Sequence, residues 1–228
     1  MLKSVQDFLS QRLIPILDNI LSEGSAIDLQ DILYRFTFDD IWKIVFGEEL
    51  GCLTPSLPAT PFVKAFVDAV EASYSRFITP ICLRKIMRRL GFGIDVKLES
   101  ALKTIDQFVM EIVSSRREEL SVEEKTDSRA DLLSSFMQSP DKNGVPHSDT
   151  FLRDICLTFI LAGSNTTSVA LSWFFWLLLK HTHVEGKILK EIYSILKGRS
   201  TDVKPGGPVY FTREELKEMH YICRDTKV

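Results

Sequence analysis

The chain is poor in cysteine and has no paired cysteine motif. Cys52, Cys82, Cys156 and Cys223 are the four present in 228 residues. Their wide separation and the apolar helical context of three of them suit buried free thiols in a reducing compartment, not a disulfide framework. No sign of charge prevails: 28 basic residues stand against 31 acidic ones, a net charge of -3. No basic stripe of the kind phosphate backbones require is present, so nucleic acid is not an expected partner. The opening "MLKSVQDFLSQRLIPILDNIL" is broken by Asp7, Gln11, Arg12 and Asp18. It has neither a signal-peptide core nor an apolar stretch long enough to span a bilayer, and is expected to hold no anchor. Strict alternation over strand lengths is missing too, and so is any repeat of fixed period, which argues against sheet and solenoid architectures.

Helical spacing is what the chain does contain. Val5, Phe8, Leu9, Leu13, Ile16, Leu17 and Ile20 form one stripe, and Leu29, Ile32, Leu33 and Phe36 begin another that Ile41, Ile44 and Val45 continue. The fold class expected is all-α. Breakers mark the joints: "EGS" from Glu23, "CLTPSLPATP" from Cys52, "GFG" from Gly91, "SVEEKTDSRAD" from Ser121, "SPDKNGVPHSD" from Ser139 and "RSTDVKPGGP" from Arg199. About seven helices of ordinary length fit between them. "FTREEL" signposts one start, with Thr212 as N-cap, Glu215 at the third helical position, and Phe211 and Leu216 placed to form a hydrophobic staple. The mixed-sign run "SSRREELSVEEKTDSR" from Ser114 reads as a solvated helix end and loop.

The informative segment is the apolar run Ile155–Leu179, whose centre is "AGSNTTS", Ala162 to Ser168. Its length would cross a bilayer. However, Gly163 to Ser168 covers more than one turn, so some polar groups would meet lipid whichever way the helix rolled, which disfavours a span at 155–179. At about 100° per residue, Ile155, Thr158, Phe159, Ala162, Thr166, Val169, Ala170 and Trp173 share one face, with Asn165 at its margin. Large members lie at the ends of this face and small ones at its middle. Such a notch suits a closely packed helix, or a flat ligand lying against Ala162 and Gly163 with a hydroxyl beside it.

Asn165-Thr166-Thr167 also fits the glycosylation pattern, which a buried helix interior would not use. His181 and His183 suit the end of a helix dipole better than a metal, because neither a cysteine nor a third histidine is close in sequence.

"AGSNTTS" followed by "VALSWFFWLL" resembles the central distal-side helix of the haem-thiolate monooxygenases, the cytochrome P-450 superfamily, whose motif is Ala/Gly-Gly-x-Asp/Glu-Thr-Thr/Ser. "DLQDILYRFTFDDIWKIVFG", "PFVKAFVDAVEASYSRF", "DLLSSFM" and "FTREELKEMHY" follow that family's order and spacing, and look most like its plant fatty-acid omega-hydroxylase branch. The resemblance implies the middle portion of the P-450 fold, a single partial domain over 1–228 with a long central helix at about 148–181. The N-terminal anchor, early sheet and haem-ligand region would lie outside this chain.

It further implies haem as cofactor, NADPH as electron source through a partner reductase, a fatty-acid-like substrate and the cytosolic face of the endoplasmic reticulum membrane. Thr166 would supply the hydroxyl for oxygen activation. Asn165 stands where the family has an acid, and an amide holds water but carries no proton near neutral pH. Ala162 and Gly163 would lie against the haem edge. Phe66, Val70, Tyr74, Phe159, Val169 and Ala170 are the expected substrate wall. The family's Phe-x-x-Gly-x-Arg-x-Cys-x-Gly loop and Glu-x-x-Arg helix do not occur in this sequence, so no metal ligand is assigned and the isolated chain is expected to be inactive. The contrasting readings are a helical interaction protein without catalysis and a membrane protein spanning 155–179.

Overall fold

The structure, a computed structural model, describes residues 2–122, 131–198 and 209–224. Among the described residues there is no strand, and the secondary structure is helical throughout. The contacts divide the chain into two compact units, Arg35–Asn165 and a second made of Met1–Tyr34 with Thr166–Val228. The joints at 123–130 and 199–208 lie outside the described residues.

In Arg35–Asn165 the core is built on the C-terminal part of α3 (Leu29–Phe46), with α4 (Pro61–Ile78) and α6 (Ile94–Val122). Phe38, Trp42 and Phe46 recur at four-residue spacing and therefore stack along one face of α3. Their rings meet those of α4 and α6: Phe38 and Phe66 at 5.5 Å, Trp42 and Phe62 at 4.9 Å, Phe62 and Phe108 at 5.1 Å between centroids. Edge-to-face and tilted pairs of this kind each add about 0.5–1.5 kcal/mol beyond the area they bury. Helix α4 starts with Pro61 in its first turn, where a missing N–H costs no hydrogen bond. Its buried stripe of Phe62, Ala65, Phe66, Ala69 and Ala72 alternates large with small, and the alanines let it approach the ridge Leu98, Ala101, Ile105, Val109 and Val113 of α6.

Two buried carboxylates tie the loops to this core. Asp39 accepts from the backbone N–H of Cys52 at 3.1 Å and of Leu53 at 2.8 Å, and from the Cys52 thiol at 2.7 Å, which pins the start of the proline-rich segment. Arg35 closes the same loop by donating to the carbonyls of Cys52 and Pro58. Asp131 accepts from the N–H of Ser134 at 2.7 Å as N-cap of α7 (Leu132–Gln138), and pairs with Arg116 at 3.0 Å. The Arg116 guanidinium also donates to Phe46 O, Glu48 and Ser134 and pairs with Glu119. The expectation of a solvated helix end therefore fails at Arg116, which is 2% exposed. A cation that deep is tolerated because its donors are met on several sides.

The short α5 (Ile81–Arg89) lies along α6. Its turn into α6 places Gly91 and Gly93 at φ 76° and 101°, conformations that side chains rarely adopt. Cys82 on this helix is exposed, against the expectation of a buried thiol, while Cys52 and Cys156 are buried as expected. The side chain of Cys223 lies outside the described residues.

In the second unit, α1 (Leu2–Phe8) runs through a π-helical turn at Leu9–Leu13 into α2 (Ile14–Glu23). The widened turn sits just before Pro15, which has no N–H for the regular ladder. The unit also holds α9 (Thr182–Lys197), α10 (Arg213–Glu218) and α11 (His220–Arg224). The capping box is formed: Thr212 Oγ1 accepts from Glu215 N, and Thr212 N donates to Glu215 Oε2 at 2.7 Å. Glu191 of α9 accepts from the N–H groups of Tyr221 and Ile222, and so serves the start of α11. Gln6 donates to Phe211 O at 2.7 Å, joining the N-terminal helix to the segment before α10.

Candidate functional site

Helix α8 (Asp149–Lys180) carries the expected site and matches the run expected at about 148–181. Its first half is held firmly within Arg35–Asn165. Leu152, Cys156, Ile160 and Ser164 recur every four residues and form its buried ridge. Arg153 pairs with Asp106 and Asp154, and Arg117 donates from Nε to Asp149 at 2.9 Å. Ser164 returns its hydroxyl proton to Ile160 O at 2.7 Å, and the Thr37 hydroxyl donates to Ser164 O at 3.0 Å.

Gly163 belongs to this packed side. A Cβ built on it would stand 2.7 Å from both Cγ1 and Cδ1 of Ile41. The smallness of residue 163 is thus accounted for by the approach of α3, a partner that nothing in the motif itself discloses. The helix is long and apolar enough to cross a membrane. Its polar centre is used instead to receive Thr37 and Ile41 of α3.

The other face is uncovered. Ala162, Thr166 and Ala170 are exposed, with Phe159, Val169 and Trp173 at 41%, 39% and 58% exposure. Asn165 is half-buried at the margin of this face. A helix of 3.6 residues per turn brings Ala162, Thr166, Val169 and Ala170 onto one strip by geometry alone. In the second unit an open cleft of about 680 Å³ runs between Val169, Trp173 and Trp176 on one side and Ile27 to Gln30 on the other. A second cleft, of about 550 Å³, begins at Ala170 and is walled by Leu177, Val184 and Tyr221. Apolar clefts with few polar groups suit apolar ligands.

The remaining expected wall residues sit elsewhere. Phe66 is buried in the aromatic cluster with Phe38 and Phe62. Val70 is half-buried and Tyr74 is exposed, both on α4, and neither cleft includes them. Sequence reasoning missed Thr37, Ile41, Asp39 and Arg116, whose roles depend on partners far away in the chain.

The thiols described do not present a ready thiolate. Burial, with the negative charge of Asp131 second, pushes Cys156 up to about 12, and its place on the buried ridge turns it away from the uncovered face. Cys52 is pushed well above the ordinary thiol range by burial and by Asp39. Among the described residues no cluster of three His, Cys, Asp or Glu side chains could hold a metal ion.

Comparison with known proteins gives this arrangement its context. The chain is 46% identical to cytochrome P450 86B1 of Arabidopsis thaliana, over 96% of its own length and 40% of that protein's. It is 42% identical to cytochrome P450 94A2 of Vicia sativa, covering 81% of the chain and 36% of the relative, and 36% identical to the alkane hydroxylase MAH1 of Arabidopsis thaliana, covering 81% and 38%. The chain thus spans about two-fifths of the length of these relatives. Among solved structures, the haem domain of cytochrome P450DA superposes with a TM-score of 0.65 at 22% identity, over 89% of this chain and 40% of that one. Retinoic-acid-bound cyanobacterial CYP120A1 does so at 0.66 and 20% identity, over 98% and 44%. These two show the fold alone. The cytochrome P450 family profile matches residues 9–223, nearly everything described above, and the chain belongs to that family.

Proposed function

We propose that this chain is the distal-helix portion of a haem-dependent monooxygenase that hydroxylates a long, apolar, fatty-acid-like substrate near its methyl end. Electrons would come from NADPH through a partner reductase, at the cytosolic face of the endoplasmic reticulum membrane. The observation that carries this reading is the uncovered strip of α8, where small residues and one hydroxyl, Ala162 and Thr166, interrupt a helix otherwise rich in large apolar side chains.

The described residues fit one side of a haem only. Ala162 offers a flat, unshielded approach with Thr166 beside it, while Gly163 is taken up by Ile41 and no described thiol fits as an axial ligand. When bound, haem supplies the oxygen chemistry. The chain's own contribution would be to hold a water by the Thr166 hydroxyl and the Asn165 amide, and to exclude bulk solvent with Phe159, Val169 and Ala170. Proton delivery would run through the hydroxyl and water, because Asn165 has no proton to give near neutral pH. Lacking a ligand for the iron, the 228-residue chain alone is expected to show no turnover.

The substrate class is supported by the apolar clefts that Val169 and Ala170 border, and by the relative that is an alkane hydroxylase. The test is a chimera in which residues 1–222 replace the matching segment of the 46%-identical Arabidopsis relative. Supplied with reductase and NADPH, it should hydroxylate a long-chain fatty acid near the methyl end. Absence of hydroxylated product from a chimera that binds haem would overturn the reading.

A further inference from the structure

The end of α4, helix α5 and the turn into α6 form a surface that no function proposed above uses. Phe77 and Ile78 are 89% and 86% exposed, and Ile81, Ile86, Leu90 and Phe92 each expose more than half of their surface. Large apolar side chains left this bare over one short segment are uncommon on a water-facing surface. Their setting is cationic. The sequence of α5, ICLRKIMRR, carries Arg84, Lys85, Arg88 and Arg89 and no acidic residue.

The nearby acids are already engaged. Asp95 pairs with Arg76 at 3.2 Å and Arg84 at 3.1 Å, and Glu99 with Arg88 at 3.6 Å. Asp68 and Glu71 both hold Lys97. Lys85 and Arg89 are exposed and have no ion pair with any described residue.

Helical geometry sets these groups side by side. At about 100° per residue, Arg84 falls on the side of α5 that meets α6, while Lys85 and Arg89 fall next to Cys82 and Ile86, with Leu90 beyond. The outward surface is an apolar strip with a cationic border. The helix spans nine residues, far too few to cross a bilayer, so such a surface can only lie along one. Apolar side chains enter the acyl boundary while Lys and Arg stay among the headgroups.

We propose that the segment Phe77–Phe92 docks on the surface of a bilayer containing anionic lipid. The unpaired cations name the occupant, since a purely apolar protein partner would leave Lys85 and Arg89 without counter-charge at its edge. The inference does not depend on the monooxygenase reading, and its test contains no catalytic step.

The 228-residue chain carrying Cys223→Ser is labelled at the exposed Cys82 with an environment-sensitive fluorophore, the buried Cys52 and Cys156 being protected. It is mixed with vesicles of phosphatidylcholine alone, or with about 30% phosphatidylserine. The proposal expects a blue shift at Cys82 and co-sedimentation with the anionic vesicles, both reduced by salt. Lys85→Glu with Arg89→Glu should weaken binding about a hundredfold or more, and Phe77→Ser with Ile78→Ser at least about tenfold. Each variant is first checked for unchanged helical circular dichroism, and the same pairs of changes are made in the chimera as a second context. Vesicle binding that leaves the Cys82 probe unshifted, equal binding to neutral vesicles by the charge-reversed chain, or self-association abolished by Phe77→Ser with Ile78→Ser in place of vesicle binding would each overturn it.

Discussion

Gly163 of α8 faces Ile41 of α3 so closely that a methyl group on it would lie 2.7 Å from two carbons of the isoleucine. Only part of that isoleucine can yield, since its Cβ is itself 3.2 Å from the added methyl. Gly163→Ala should therefore lower stability by about 1–3 kcal/mol in spite of alanine's better helix propensity. Urea unfolding measures the loss. The paired change Ile41→Ala with Gly163→Ala should recover part of it relative to the sum of the two single changes, and simple additivity would refute the contact.

Arg116 offers a larger effect. Removing its guanidinium leaves the Asp131 carboxylate, 1% exposed at its side chain, without its cation. Arg116→Ala is expected to cost about 3–5 kcal/mol, as for other buried pairs broken on one side. The loss should read out as a fall in the urea midpoint, with early exchange of the amides of α7, whose N-cap is Asp131. A loss below about 1 kcal/mol would place Arg116 among ordinary surface charges.

The buried thiols predict an alkaline limit on stability. Cys156 is raised from 9.0 to about 12 by burial, so the unfolded chain gives up its proton first as pH rises. The contribution is intact below pH 9.0 and is lost progressively until about 12. Cys156→Ala should flatten the decline of stability over that window, while costing some stability at neutral pH through lost packing. At pH 8, iodoacetamide should modify Cys82 rapidly and spare Cys52 and Cys156 until the chain unfolds.

Much of this was legible in the sequence because helices are written locally. The four-residue recurrences, the Thr212–Glu215 box and the breakers at Gly24, Gly91 and Gly93 each depend on neighbours within a turn or two. The bounds of α8 followed for the same reason. What escaped was tertiary. Arg116 sits in a run of mixed charge that reads as solvated, and only Phe46, Glu48 and Asp131, distant in sequence, make it a core residue. Phe66 reads equally as pocket or core, and Phe38 and Phe62 decide for the core. Cys82 looks like a buried thiol beside Ile81 and Leu83, yet those neighbours are themselves exposed.

Asn165 marks the departure from the family motif that bears on turnover. In the chimera, Asn165→Asp should restore a titratable group next to Thr166 and raise the product formed per NADPH several-fold, with less peroxide released. Unchanged coupling would mean that the amide already suffices for proton supply.

The central claim is that the uncovered strip of α8 faces the oxygen chemistry, and Thr166 tests it against its neighbour. Thr166 and Thr167 are both exposed, but they stand about 100° apart around the helix, and only Thr166 shares the strip with Ala162 and Ala170. The deciding measurement is hydroxylated product per NADPH consumed by the chimera with Thr166→Ala and, separately, with Thr167→Ala. The account predicts at least about a tenfold fall for the first, with peroxide in place of product, and little change for the second. Equal effects of the two, or none from Thr166→Ala, would contradict it.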